Sequence, residues 1–194
     1  MSPRGNLNRK VVVQKAIELS NKNGWEHLNL HQLARELGIR TPSLYNHIGG
    51  LPELRKLISW KATAALIEKI KDATIGKSGA DACLAMAWAY LKFARANPGL
   101  ISAIAAAPDK ENKEAMETDK NFIQMGMAIM SGFNLGQSES IHALRAIRCA
   151  THGFAVLENE QGFGIDVDPN VSFEWMIQSL VESFRKWDSG DQSH

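Results

Sequence analysis

At 194 residues, with 44% apolar and 22% charged side chains, the chain has the composition of one or two small globular domains. No apolar run approaches the roughly 18–20 residues of a membrane span, and the polar start MSPRGNLNRK has no apolar stretch behind it, so no membrane span and no secretory signal are expected, and a cytoplasmic location is. The net charge of +1 hides an asymmetry: residues 1–60 hold nine Lys/Arg against four Glu, and the remainder holds 13 basic against 17 acidic residues, a distribution that points to an anionic partner for the basic head.

Every predicted element is a helix. Val12, Ala16 and Leu19 recur at i, i+4 and i+7, which predicts a first helix over about Asn8–Asn23 with Gly24 as its stop. Asn29 caps a short second helix carrying Leu30, Leu33, Ala34 and Leu37, and Gly38 ends it. Thr41 is read as the cap of a third helix, with Pro42 at its first position and its end near His47. Gly49-Gly50 breaks the chain, and Pro52 opens a long fourth helix to about Ala73 with a stripe of Leu54, Leu57, Ile58, Ala62, Ala65 and Ile70.

"IGKSG" is a linker, and Ser78 to Asp81 resembles a capping box before a fifth helix ending near Ala96. That helix is apolar nearly all round, so it should be central to the second bundle. A short Ala-rich helix over about 99–106 precedes a seventh over Lys110–Ser131 and an eighth over Ser138–Glu158. After the loop "NEQGFGIDVDPNV", Ser172 is read as the cap of a ninth helix over Phe173–Trp187, and the tail DSGDQSH as disordered. Cys83 and Cys149, far apart in apolar helical stretches, read as reduced, buried thiols. The expected fold is therefore all-α with about nine helices, divided into a basic head over residues 1–58 and a larger helical bundle over residues 59–194.

The second and third helices have the spacing of a helix-turn-helix. Ala34 permits a close crossing, Gly38 supplies the turn, and Ile39 and Leu44 complete an inner apolar face. Thr41, Pro42, Ser43, Tyr45, Asn46 and His47 remain outward, a face of hydroxyl, phenol, amide and imidazole groups that can meet phosphates and base edges. Free N–H groups at the helix start would favour an anion there. The alternative is a plain helical hairpin with Tyr45 half-buried and His47 merely solvated.

The run from Val12 to Ile58 resembles the N-terminal domain of the TetR family of bacterial transcriptional regulators, with the matching residues "AIELSNKNGWEHLNLHQLARELGIRTPSLYNHIGGLPELRKLI" (16–58). The resemblance rests on the Leu-Ala-x-x-Leu-Gly-Ile turn, then Ser43-Leu44-Tyr45-x-His47-Ile48 and Leu54. "ALRAIRCATHGFAVLENEQGFG" is similar to the family's C-terminal domain type with a His-Gly signature in the penultimate helix. The resemblance implies an all-helical homodimer that represses transcription and leaves DNA when a small ligand binds. Many members grip a phosphate with a lysine at the start of helix four; the corresponding place here is read as Leu51, with the backbone N–H groups of Gly50 and Leu51 as replacements and Arg55 or Lys56 as auxiliary charges. On this reading Thr41, Ser43 and Asn46 face bases, Tyr45 and His47 face phosphates, and Arg40 and His31 either contact DNA or are solvated.

In the body, Met86, Trp88, Tyr90 and Phe93 on the fifth helix, Phe122, Gln124 and Met125 on the seventh, and His152 on the eighth are core packing or the lining of a pocket for a small lipophilic ligand. Ile141, Leu144, Arg148, Thr151 and Ala155 on the eighth helix, with Trp175, Met176, Leu180 and Phe184 on the ninth, form the expected dimer interface. No catalytic or metal-binding motif appears: His142 and His152 are ten residues apart and fall about 80° from a shared helical face. An enzyme and a cofactor are therefore not expected. The competing class is a helical adaptor whose basic head binds protein or lipid.

Overall fold

A computed structural model describes residues 7–105 and 109–188, and within them the secondary structure is helical throughout. The helices are α1 (Arg9–Asn23), α2 (Leu30–Glu36), α3 (Thr41–Leu44), α4 (Leu51–Thr74), α5 (Gly79–Ala96), α6 (Ile101–Ala105), α7 (Lys113–Met130), α8 (Gln137–Asn159) and α9 (Pro169–Asp188), with a 3-10 turn at Pro98–Leu100. The tail after Asp188 and the end of the Ala-rich segment lie outside the described residues.

The chain forms two compact units, Met1–Ala64 with Asn97–Met116, and Ala65–Ala96 with Glu117–His194. Helix α4 runs through the boundary without a break, which is why charge, rather than a linker, is what the sequence offers there. Residues 97–116, placed with the body by sequence order, pack with the head.

In the head unit, the Asn8 carboxamide caps α1 by accepting from Val11 N–H at 3.0 Å, and Asn29 caps α2 by accepting from Gln32 N–H at 2.9 Å. Gly24 and Gly38 leave these helices at φ +90° and +66°, in the left-handed region where a side chain is strained. Val12, Ala16, Leu33, Ala34, Leu44, Leu54 and Ile58 form the core. The later segment is fastened to it by Ser59 Oγ donating to Ala103 O at 2.7 Å and by an Asn21–Asn97 side-chain bond of 3.1 Å.

In the body unit, α5 packs against both α8 and α9, the central place its apolar circumference predicts. Its buried Cys83, Met86, Ala87, Leu91 and Ala94 meet a core that includes Ile147, Phe154, Phe173, Ile177 and Phe184. Phe173 receives Trp88 edge-on at 4.9 Å and Phe154 at 5.0 Å. At the helix ends, Arg95 clasps Glu158 with two bonds of 2.8 and 2.7 Å and reaches Asn170 at 2.9 Å.

Several local expectations are corrected. Arg40, not Thr41, is the N-cap of α3, and Tyr45–His47 form a turn beyond it. Ala65 is exposed while Leu66 and Ile67 turn inward. Helix α7 starts at Lys113 because Asn112 caps it, accepting from Glu114 N–H at 3.0 Å and Ala115 N–H at 3.1 Å. Helix α9 starts at Pro169 because Asp168 accepts from Asn170 N–H at 2.9 Å and proline costs nothing at a first helical position; Ser172 lies inside the helix. Cys149 is exposed on α8, and only Cys83 is buried.

One close approach is sharply testable. A Cβ on Gly99 would lie 1.7 Å from the carbonyl oxygen of Ser20. Gly99→Ala must therefore push the 3-10 turn off α1, and urea denaturation should show a loss on the order of 1–3 kcal/mol. An unchanged midpoint would mean the turn is not held there.

Candidate functional site

The head presents one outward edge. Leu33, Ala34 and Leu44 are buried between α2 and α3, and Ile39 N–H returns to Ala34 O at 3.0 Å to close the turn. Burying Leu44 turns its neighbours out: Arg40, Pro42 and Asn46 are exposed, Tyr45 is 58% exposed, and Thr41, Ser43 and His47 are half-buried. Tyr45 is thus a solvent-facing ring rather than a half-buried one. His31 is exposed at the start of α2. Leu51 is half-buried, whereas Gly50 is buried at φ +129°. The start of α3 offers fewer free donors than expected, since Pro42 has no N–H and that of Ser43 is given to Arg40 O at 2.9 Å.

Charges around this edge are already committed in part. The Glu53 carboxylate receives both the Arg9 guanidinium and Gly49 N–H, tying α1 and the glycine turn to the first turn of α4. The Arg55 guanidinium lies over Trp25 at 5.5 Å, and Lys56 pairs with Asp109 at 3.2 Å. Both auxiliary cations have occupations within the head, and these partners, distant in sequence, were not legible in it. Arg40 has no carboxylate within ion-pairing distance among the described residues.

The body holds a second candidate site. Ile70, Met86, Ala87, Tyr90, Phe122, Leu144, Ile147, Arg148 and Thr151 line a partly open cavity of about 20 Å³, room for about one water. Of the predicted pocket residues, Met86, Tyr90 and Phe122 line it, and His152 joins through a 2.8 Å bond from its Nδ1 to the Tyr90 hydroxyl. Trp88 instead packs on Phe173, Phe93 is buried, Met125 is half-buried and Gln124 is exposed. Leu144, Arg148 and Thr151, assigned to the dimer surface from sequence, also line this cavity. Thr151, Ala155 and Phe184 are buried within their own chain, while Trp175 is 75% exposed and Ile141, Met176 and Leu180 are half-buried. A second, apolar groove of about 370 Å³ runs along Phe154, Phe163, Ile165, Val167 and Pro169, where the sequence showed only a loop.

Burial pushes the Tyr90 hydroxyl up to about 12 against the pull of Arg148. Burial and then the nearby Arg148 charge lower the proton affinity of His152. The Tyr90–His152 pair is therefore neutral at pH 7. The unfolded chain accepts a proton on His152 near pH 6.5, and the folded state only at a lower pH. The stability due to neutral His152 is thus complete above about pH 6.5 and is lost as pH falls through the folded value. In thermal melts from about pH 7.5 to 5, the wild-type midpoint should fall further than that of His152→Gln; parallel curves would remove this linkage.

Residues 83–180 match the family model described as "Tetracyclin repressor-like, C-terminal domain". The chain is 30% identical over 190 residues to the uncharacterized HTH-type transcriptional regulator YobS of Bacillus subtilis, covering 98% of this chain and 95% of that one. It is 24% identical to the class D tetracycline repressor protein of Escherichia coli over 189 residues, 95% of this chain and 82% of the repressor. Its fold is similar to the crystal structure of a TetR variant from Acinetobacter baumannii AYE in complex with minocycline, with TM-score 0.70 and 18% identity, covering 95% of this chain and 100% of that one. The helix-turn-helix geometry of the head, the helical body and these likenesses lead to one conclusion: the chain belongs to the TetR family of helix-turn-helix transcriptional regulators.

Proposed function

We propose that this regulator is a repressor that binds a near-palindromic operator as a homodimer and is released by a small, mostly apolar ligand. The observation that carries the DNA-binding part is the outward face of the Arg40–His47 segment, where Tyr45 stands 58% exposed among polar side chains. Thr41, Ser43 and Asn46 supply the groups that read bases, Tyr45 and His47 those that grip phosphates, and Arg40 and His31 flank them. Pro42 holds the start of the turn. Leu51 N–H is the donor at the place of the usual lysine, since Gly50 is buried. One such short segment reads only a few base pairs, so specificity requires two heads on one site.

The ligand part is supported by the cavity around Tyr90 and by the relatives named tetracycline repressors. Helix α4, continuous between the units, is the covalent route from body to head. A hundredfold loss of operator affinity requires a coupling of about 2.7 kcal/mol, within the usual allosteric range. The dimer part is supported by the apolar surface α9 leaves uncovered, with Trp175 exposed and Met176 and Leu180 half-exposed.

Two measurements test this reading. In gel-shift titrations against operator and competitor DNA, Tyr45→Ala should weaken binding to all sequences, whereas Asn46→Ala should also relax base preference. With about 6–10 phosphate contacts, affinity should drop about 10³–10⁵-fold between 50 and 200 mM salt. Full affinity for an isolated half-site would refute the paired-head reading, and a head that binds protein or lipid would give no sequence-selective shift. In sedimentation at micromolar concentration, Leu180→Glu should shift the protein from dimer to monomer, because it places an unpaired charge in the joint; a variant that stays dimeric excludes that part of α9.

A further inference from the structure

The cavity in the body has one cation and no acid. Arg148 is exposed to solvent on its outer side, is in none of the ion pairs formed among the described residues, and lies over the face of Phe122, 5.7 Å from guanidinium carbon to ring centroid. One turn further along α8, Thr151 lines the same cavity; it is 1% exposed, and its Oγ1 has no hydrogen-bond partner. The Tyr90 hydroxyl and His152 Nδ1 are bonded to each other, and neither side chain carries a charge to offset the arginine. The rest of the lining, Ile70, Met86, Ala87, Leu144 and Ile147, is apolar.

These features describe a half-finished recognition site. A buried hydroxyl without a partner is destabilising until an oxygen or nitrogen reaches it. A guanidinium stacked on a ring is held far less well than one that meets a carboxylate through two parallel N–H···O bonds. The cavity of about 20 Å³ has room for about one water, and Phe122, with Arg148 over its ring, is part of its lining, so a larger guest requires that ring to move. Whatever takes the arginine away from the ring also frees the ring to move.

We propose that this cavity takes an apolar molecule bearing a single carboxylate, which pairs with Arg148 in place of the Phe122 ring and accepts a hydrogen bond from Thr151 Oγ1, while the apolar part enters the space that Phe122 leaves. The inference rests on the reading that the body binds a small apolar ligand, and it specifies the ligand's head. A cationic head is repelled by Arg148 and finds no acid in the lining. A doubly charged head meets one cation and an otherwise apolar wall, so its second charge goes unpaired.

Calorimetric titration of the full chain with straight-chain alkanoic acids of about eight to fourteen carbons, and with the alcohols and amines of the same lengths, tests this. The acid should bind at least about tenfold more tightly than its alcohol, and the amine more weakly still. Arg148→Gln should bring the acid down to the level of the alcohol while leaving the alcohol within about threefold of wild type. Thr151→Val should weaken the acid more than the alcohol. Phe122→Ala should tighten both and keep the preference, and it guards against a wild-type cavity too tightly closed to report. An acid and alcohol that bind alike, or a preference that survives Arg148→Gln, overturns the carboxylate inference and leaves the ligand-binding reading standing. No binding by any probe to wild type or to Phe122→Ala overturns both.

Discussion

A helix of four residues has no stability of its own. One turn fixes several backbone dihedrals for almost no hydrogen-bond return, so α3 exists because Leu44 is fully buried against α2. That single side chain sets the rotation of the whole Arg40–His47 segment. With Leu44 inward, Tyr45 and Asn46 must face out, and a polar residue at 44 would release the segment that displays them. The crossing is close because Ala34 is small, and the reversal before it is possible because Gly38 adopts a positive φ. Glu53 adds a second restraint, drawing Arg9 and the Gly49 N–H to the start of α4, so the exposed edge is held at both ends.

The body solves a different problem. Helix α5 carries apolar residues around most of its circumference and so must be covered on several sides, which α8 and α9 supply. Close packing is uneven. Gly126 accepts Leu144 and Gly132 lies against Gly79, each at distances that admit no Cβ. Near Tyr90 and Thr151 the packing stops short, leaving a small void with one unmatched hydroxyl and one unmatched cation at its border. A protein interior normally closes such gaps, because a void forfeits contacts and an unmatched polar group loses its hydration. Their coincidence in one place sets the region apart from the close contacts at Gly126 and Gly132.

The same charge shapes both candidate sites in opposite ways. In the head, cations are spent on structure: Arg9 on Glu53, Lys56 on Asp109 and Arg55 on the Trp25 ring. Counting basic residues therefore overstates the charge free to meet an anion, and Arg40 gains importance because it is left out of these pairs. In the body, where the overall balance is acidic, Arg148 is unpaired at a cavity wall. Net charge by region points to the head alone, and the proposed carboxylate site rests on this one local cation instead.

The amino-acid order carries whatever local rules govern. Apolar spacing at 3.6 residues places the helices in their order, Asn29 marks the cap of α2, and the Leu-Ala-x-x-Leu-Gly-Ile turn with its flanking residues carries the family resemblance. Where local signals compete, spacing alone does not choose: Ser172 and Asp168-Pro169 both offer a start for α9, and the helix begins at Pro169, where Asp168 accepts from Asn170 N–H. Packing in three dimensions selects which apolar residues face inward when a helix offers more than one apolar face. It turned Leu66 and Ile67 in and Ala65 out, buried Phe184 while exposing Trp175, and set Trp88 against Phe173 and away from the cavity. It also brought together groups far apart in the chain, such as Tyr90 with His152, Phe122 with Arg148 and Ser20 with Gly99. The physical reason is the same in each case: hydrogen bonds and dihedrals within a helix act over three or four residues, whereas burial is settled by whatever surface the rest of the chain brings against it.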